Sequence, residues 1–119
     1  MNNQEFFDRT VEHLRKQNCQ AKDDTDCKYR TVVDGVTLMC AVGCHLTDDI
    51  YKDTFEGHSI YALMKYSLTV RNLFSGVSIK LIRNMQCIHD NDINCVEEWE
   101  EQFKYCAEAH GLIYTPKKG

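Results

Sequence analysis

The stretch from Cys27 to Leu46, CKYRTVVDGVTLMCAVGCHL, constrains the fold more than any other part of this chain. Lys28 to Val33 is rich in β-branched and aromatic residues, Val36 to Met39 returns to that character, and Asp34-Gly35 stands between them. Glycine supplies the positive φ that a two-residue hairpin loop needs. The pattern therefore predicts two short antiparallel strands. Cys40-Ala41-Val42-Gly43-Cys44 follows directly and is small and apolar. Small side chains let a backbone pack closely on a neighbour, so a short buried helix is expected from near Cys40.

The flanking segments read as helices. Asn2 or Asn3 can cap a first helix whose buried stripe is Phe7, Val11 and Leu14, at i, i+4 and i+7. Arg15 and Lys16 sit at its C-terminal end, where cations are favoured. Asn18 to Asp26 is polar and reads as a loop. Thr47 can cap a single turn over Asp48 to Tyr51. Ser59 can cap a helix ending near Leu68, with Ile60, Leu63, Met64 and Leu68 buried. Thr69 to Gly76 fits neither period. A further helix runs from Ser78 to Asp90 on Leu81, Met85 and Ile88, and Asn91-Asp92 is a turn.

The last helix has the clearest pattern: Val96, Trp99, Phe103, Cys106, Ala107 and His110 recur at helical spacing. Asn94 can cap it with Glu97 in the capping-box position, and Gly111 suits the position after its end. Leu112 and Ile113 are expected to fold back and Thr115 to Gly119 to fray. With Pro116 as its one proline, the chain has nothing to interrupt these helices. The expectation is one domain over residues 1–119, mainly α-helical with one two-stranded antiparallel hairpin. Its first and last helices should pack together, with Trp99 and Phe103 against Phe7, Val11 and the Cys40–Cys44 segment.

Net charge is −4, which argues against direct nucleic-acid binding and permits a partner with a basic surface. Seven cysteines leave at least one unpaired. The opening MNNQEFFDRTVEHLRKQ is charged rather than signal-like. No apolar run approaches the roughly 20 residues that span a bilayer. A reducing cytoplasm with free thiols is the expectation, and free cysteine commonly serves as a small buried apolar residue.

Three constellations carry candidate chemistry. Cys27, Cys40, Cys44 and His45 (or His89) are the right ligand types for a tetrahedral structural zinc. Cys40 and Cys44 would share a helix face, yet no C-x-x-C pair is present, and packed core thiols explain them without a metal. Alternatively Cys40, after a strand and at a helix start, is a candidate nucleophile in a catalytic set with His89 as base and Asp90 as the nearby carboxylate. Asp90 would not face His89 inside a helix, so another carboxylate would have to orient that ring. Tyr29, Arg30, His89 and Asp90 are candidate residues of a pocket for a small anion, since arginine's planar fork suits phosphate. The plainer alternative pairs Arg30 with Asp90 to clamp the hairpin on the helices. Separately, Tyr51, Phe55, Tyr61, Tyr66 and Phe74 are more aromatic than a plain surface segment needs. Some must be core, and any that are exposed form the candidate partner-binding face.

Several of these features together resemble a widespread group of small bacteriophage and mobile-element proteins. They are FFDRTVEHLRKQ, Cys27-x-Tyr29-Arg30, Gly35 before Cys40-Ala41-Val42-Gly43-Cys44, Ile88-His89-Asp90, and Trp99-x-x-x-Phe103 running to Gly111-Leu112. Relatives usually carry Leu-Ile-Pro-Asp where this chain has His45-Leu46-Thr47-Asp48. The group brings no established reaction. The resemblance implies a phage accessory protein in the host bacterial cytoplasm that binds and inhibits a host protein, such as a defence component. No cofactor and no membrane association are expected, and an exposed aromatic segment would favour a homodimer. The alternatives are a hydrolase or transferase dependent on Cys40 and His89, and a small-nucleotide sponge. Replacement of Trp99 by Ala is expected to cost about 3–5 kcal/mol, as for a buried indole. A calorimetric midpoint unchanged from the parent would overturn the core assignment.

Overall fold

The computed structural model describes residues 1–23, 26–91 and 96–118. Helix α1 spans Asn3–Gln17 and is followed by strands β1 (Arg30–Val33) and β2 (Val36–Met39). Two 3-10 turns come next, Gly43–His45 and Asp53–Phe55. Helices α2 (Ile60–Tyr66), α3 (Leu68–Leu73) and α4 (Ile79–Asp90) follow, and a 3-10 turn at Val96–Glu98 leads into α5 (Trp99–His110). The architecture is the expected one, mainly helical with one antiparallel hairpin.

The hairpin forms as its turn residues dictate. Val33 pairs with Val36, and Asp34 and Gly35 take φ of 51° and 79°. Positive φ at both central residues gives a loop whose twist matches that of the strands. Both outer edges are held at the base by side chains. The Met39 N–H donates to Gln17 Oε1 at 2.8 Å, while the Met39 carbonyl accepts from Gln17 Nε2 at 2.9 Å. On the other edge the Glu56 carboxylate accepts the backbone N–H groups of Tyr29 and Arg30, at 2.9 and 3.1 Å.

The expected helix from Cys40 is instead a turn closed by Cys44 N–H to the Cys40 carbonyl at 3.0 Å, leading into the Gly43–His45 turn. Burial is as expected, with Cys40, Ala41 and Val42 inaccessible. The reason for the tight path is Gly43. A Cβ there would lie 1.8 Å from the Tyr29 carbonyl oxygen, so the hairpin base and this turn touch backbone to backbone.

Helix α1 begins with a full capping box between Asn2 and Glu5. Asn3 has a different use: its Oδ1 accepts the Ser78 N–H at 2.7 Å and so caps α4 from outside. The segment after Ser59 differs from expectation. Ser59 caps α2 as predicted, but α2 stops at Tyr66, and the Ser67 side chain accepts from Val70 N–H to start α3. Leu68 therefore opens a helix on the surface instead of closing one in the core. The ambiguous Thr69–Gly76 stretch is largely α3, with Val70 and Phe74 fully buried. Thr47 closes a turn through its carbonyl, and its hydroxyl bonds Asp49 rather than a helical N–H. The expected Asn94 cap and the Asp92 half of the expected turn lie outside the described residues.

Helix α4 is the centre of the packing, against α1 on one side and α5 on the other. Its buried face is Leu81, Ile82, Met85, Ile88 and His89, wider than the expected stripe. Trp99 lies beside His89 and Phe103, at ring separations of 6.1 and 6.3 Å. Contact between α1 and α5 includes an ion pair, Arg15 Nη2 to Glu100 Oε1 at 2.6 Å. The chain after α5 runs back along α1. Gln4 pairs with both backbone groups of Ile113, and Arg15 donates to the Thr115 carbonyl, so the segment expected to fray is tied at its start. Gly43→Ala is expected to destabilise by about 3 kcal/mol, the upper end of overpacking costs, because backbone rather than a side chain must yield. Denaturant unfolding measures it, and a loss below 1 kcal/mol (about the helix gain from Gly to Ala) would contradict the close approach.

Candidate functional site

His89 is fully buried, and both its ring nitrogens are engaged. The Ala21 N–H donates to Nε2 at 2.9 Å, so Nε2 carries no hydrogen. Nδ1 then holds the ring hydrogen and donates it to Asp90 Oδ1 at 2.6 Å. The two neighbours do meet, contrary to expectation. Nδ1 is the ring nitrogen nearer the backbone, and Asp90 is the last residue of α4, where its short side chain can turn back. Gln86 Nε2 also donates to Asp90 Oδ1, at 2.9 Å.

Among the described residues, Cys27, His89 and Asp90 are the three metal-ligating side chains that converge, with ligand atoms within 4.8 Å of one another. The donor set fits a metal poorly. A cation on Nδ1 would leave Nε2, which faces the Ala21 N–H, without a hydrogen, and the ring would have to be an imidazolate. The zinc set considered from sequence is not assembled. Cys40 Sγ accepts from Gly43 N–H at 3.2 Å, Cys44 Sγ donates to the Ala41 carbonyl at 3.4 Å, and His45 Nε2 meets Thr10 Oγ1 at 2.7 Å.

The thiol chemistry follows from burial. Burial pushes the Cys40 thiol up to about 12, and the backbone N–H groups of Gly43 and Val42 only partly offset it. The Cys44 thiol is likewise pushed up to about 12 by burial. A helix N-terminus that would lower the thiol does not begin at Cys40, and the protonated thiol is a poor nucleophile. His45 stacks on Phe6 at 4.6 Å and meets Phe74 edge-on at 5.9 Å. Thr10 donates its hydroxyl hydrogen to the Phe6 carbonyl at 2.7 Å, so the hydrogen between Thr10 and His45 belongs to His45 Nε2. Burial, with Arg9 and His13 nearby, lowers this imidazole to about 4.

The four candidate pocket residues divide. Tyr29 and Asp90 line a cleft of about 370 Å³ together with Cys27, Lys28, Arg83 and Cys87. His89 lies behind it. Arg30 turns away and donates to Asp48 at 2.8 Å and to the Leu46 carbonyl at 2.9 Å, with its guanidinium 4.5 Å from the Tyr51 ring centre. The expected Arg30–Asp90 clamp is therefore replaced by Glu56, a residue that periodicity alone gave no reason to select.

The aromatic segment also divides. Phe74 and Phe55 are core, and Tyr51 is half-buried with its hydroxyl on Glu56 at 2.6 Å. Tyr61 and Tyr66 are exposed, at 50% and 80%. The break at Ser67 sets Tyr66 and Leu68, the latter 63% exposed, on the rim of a groove of about 560 Å³. Phe55 and Leu63 line it as buried residues, and Lys52, His58 and Ala62 complete the wall. Cations stand over both exposed rings: Lys65 Nζ is 5.5 Å from the Tyr66 centre, and the Arg83 guanidinium is 5.2 Å from that of Tyr61. Sequence reasoning missed Lys65, Leu68 and Arg83 as surface features of note. The available signal was the run from Gly57 to His89, which contains Lys65, Arg71, Lys80 and Arg83 but no Asp or Glu.

Comparison with family models, curated proteins and solved structures finds no match to this chain.

His45 gives a pH dependence of defined sign. Its folded value is about 4 and its ordinary value 6.5, so between them the unfolded chain binds more protons than the folded one. The stability that His45 contributes is present above pH 6.5 and is lost as pH falls toward 4. The His45→Gln variant should show a flatter stability profile across that window, measured by urea unfolding at several pH values. An equal slope in parent and variant would contradict the assignment.

Proposed function

We propose that this is a phage-encoded accessory protein that binds a host protein stoichiometrically and inhibits it, a defence component being the favoured target class. The groove at the α2–α3 junction is its contact face. The observation that carries this reading is the pair Tyr66 and Leu68, strongly exposed beside a groove walled by the buried Phe55 and Leu63. Aromatic and aliphatic anchors beside a pre-formed pocket are what a partner's side chains use, and a handful of such residues dominates binding energy. No helix among the described residues is long and apolar enough to cross a membrane.

The cysteine-enzyme alternative lacks an accessible thiolate at Cys40, and His89 has no free ring nitrogen to take a proton from a substrate. Binding by a surface asks nothing of either residue. The test is a tagged pull-down from host lysate under reducing conditions, followed by titration of the captured protein. Tyr66→Ala with Leu68→Ala should weaken binding by at least about 2 kcal/mol, as for hot-spot anchors, with the unfolding midpoint unchanged. Cys40→Ser, once shown to be folded, should retain full binding. Retention by the groove variant, or loss with folded Cys40→Ser, would overturn the reading.

A further inference from the structure

All eighteen carboxylates of the chain lie outside residues 57–89, although that stretch supplies α2, α3 and nearly all of α4. Among the described residues, Lys65, Arg71, Lys80 and Arg83 form no ion pair, and neither does Lys52 on the groove wall. By contrast Arg9, Arg15, Lys16, Lys28 and Arg30, on α1 and around the hairpin, each lie within 4.0 Å of a carboxylate. The residues lining the groove include no Asp or Glu. An acidic protein thus presents one groove lined without a carboxylate, with Lys52 on its wall, Lys65 beside its rim and the exposed Tyr66 on that rim.

Resting on the protein-binding reading above, we infer that the groove's occupant is an acidic polypeptide segment, with apolar side chains seated against Phe55 and Leu63 and flanking carboxylates meeting Lys52 and Lys65. The positions of the cations support this division of labour. Lys65 is drawn over Tyr66 at the groove, while Arg83 stands over Tyr61 in the neighbouring cleft, donating from Nη1 to the tyrosine hydroxyl at 3.3 Å. Each ring is thereby held beside a positive charge. Arg71 is fixed at the same corner, donating to the carbonyls of Met64 and Lys65 at 2.8 and 3.1 Å. Its charge lies at the end of α2, beside Tyr66. A polypeptide fits better than a nucleic acid on two counts. Leu68 and the aliphatic Leu63 favour side chains over stacked bases. The cations are also few and spread over three helices, where a phosphate backbone would select a denser track.

The probe is a fluorescein-labelled peptide in which Leu and Phe alternate with Glu, compared by anisotropy with the same peptide carrying Lys for Glu and with labelled oligo-dT. The acidic peptide should bind roughly tenfold or more tightly than the basic one and weaken as salt rises. Lys52→Glu with Lys65→Glu should remove that preference, and Lys52→Gln with Lys65→Gln should give an intermediate loss, with folding unchanged because both side chains are exposed. Equal binding of the two peptides, or no binding of either, overturns the inference. Tighter binding of oligo-dT with a steeper salt slope overturns it in favour of nucleic acid. Against the captured host protein the two readings separate. If the Lys52→Glu and Lys65→Glu variant keeps full capture, the acidic-partner inference fails alone. If the Tyr66→Ala and Leu68→Ala variant keeps it, the groove itself is the wrong face.

Discussion

His89 holds together parts of the chain that have no other reason to meet. Its ring joins the backbone of Ala21 to the end of α4, and its carbonyl accepts from Gln20 Nε2 at 2.7 Å. Its face lies along Trp99 of α5. A buried imidazole with an empty nitrogen would cost on the order of 1–3 kcal/mol, so each of these partners is strongly specified once the ring is inside. The connection from α1 to the hairpin is thereby pinned to the central helix. The same saturation leaves His89 no ring nitrogen open to a further partner. A residue that looks catalytic in sequence, a histidine followed by an aspartate, is here a fastening.

The hairpin is handled in a comparable way. A two-stranded sheet has two open edges, and open edges invite further strands. Gln17 and Glu56 occupy the outward backbone groups of Met39 and Arg30. By the alternation of antiparallel pairing, the next outward groups are those of Thr37 and Val32, one residue on each edge. That is too short a ladder for strand addition to supply much affinity. The exposed valines at the tip, Val32, Val33 and Val36, are therefore a weaker candidate surface than the groove, which offers depth as well as apolar area.

The hairpin and the longer helices were legible because their signals are local. Asp34-Gly35 demands its turn, and α1, α4 and α5 keep a helical period long enough to be unambiguous. What escaped depended on distant partners. That Cys40 leads into a tight turn, not a helix, follows from Gly43 meeting the Tyr29 backbone, a contact that spacing cannot announce. Ser67 was invisible as a boundary because Leu68 continued the apolar pattern of α2, although its hydroxyl offered a cap. Arg30 was assigned the wrong carboxylate because sequence gives charge but not direction. Of the five aromatics singled out, the structure buries Phe55 and Phe74 and exposes Tyr61 and Tyr66. Composition ranks these residues alike, and only packing separates them.

The charge segregation is not something folding requires. An exposed ion pair contributes about 0–1 kcal/mol, so Lys65, Lys80 and Arg83 lose little by having no carboxylate beside them. They would also lose little by having one, and scattering acid among them would have left α2 to α4 as stable as they are. Exposed Tyr66 and Leu68 are different in kind, since each leaves apolar area in water that burial would turn to stabilisation at about 25 cal/mol per Å². Two features that stability does not ask for coincide on one face, and one of them runs against stability. That coincidence is what supports the proposed contact face. Elsewhere the fold has uses for a carboxylate: Glu5 caps α1, Glu56 holds the hairpin base and Glu100 pairs with Arg15.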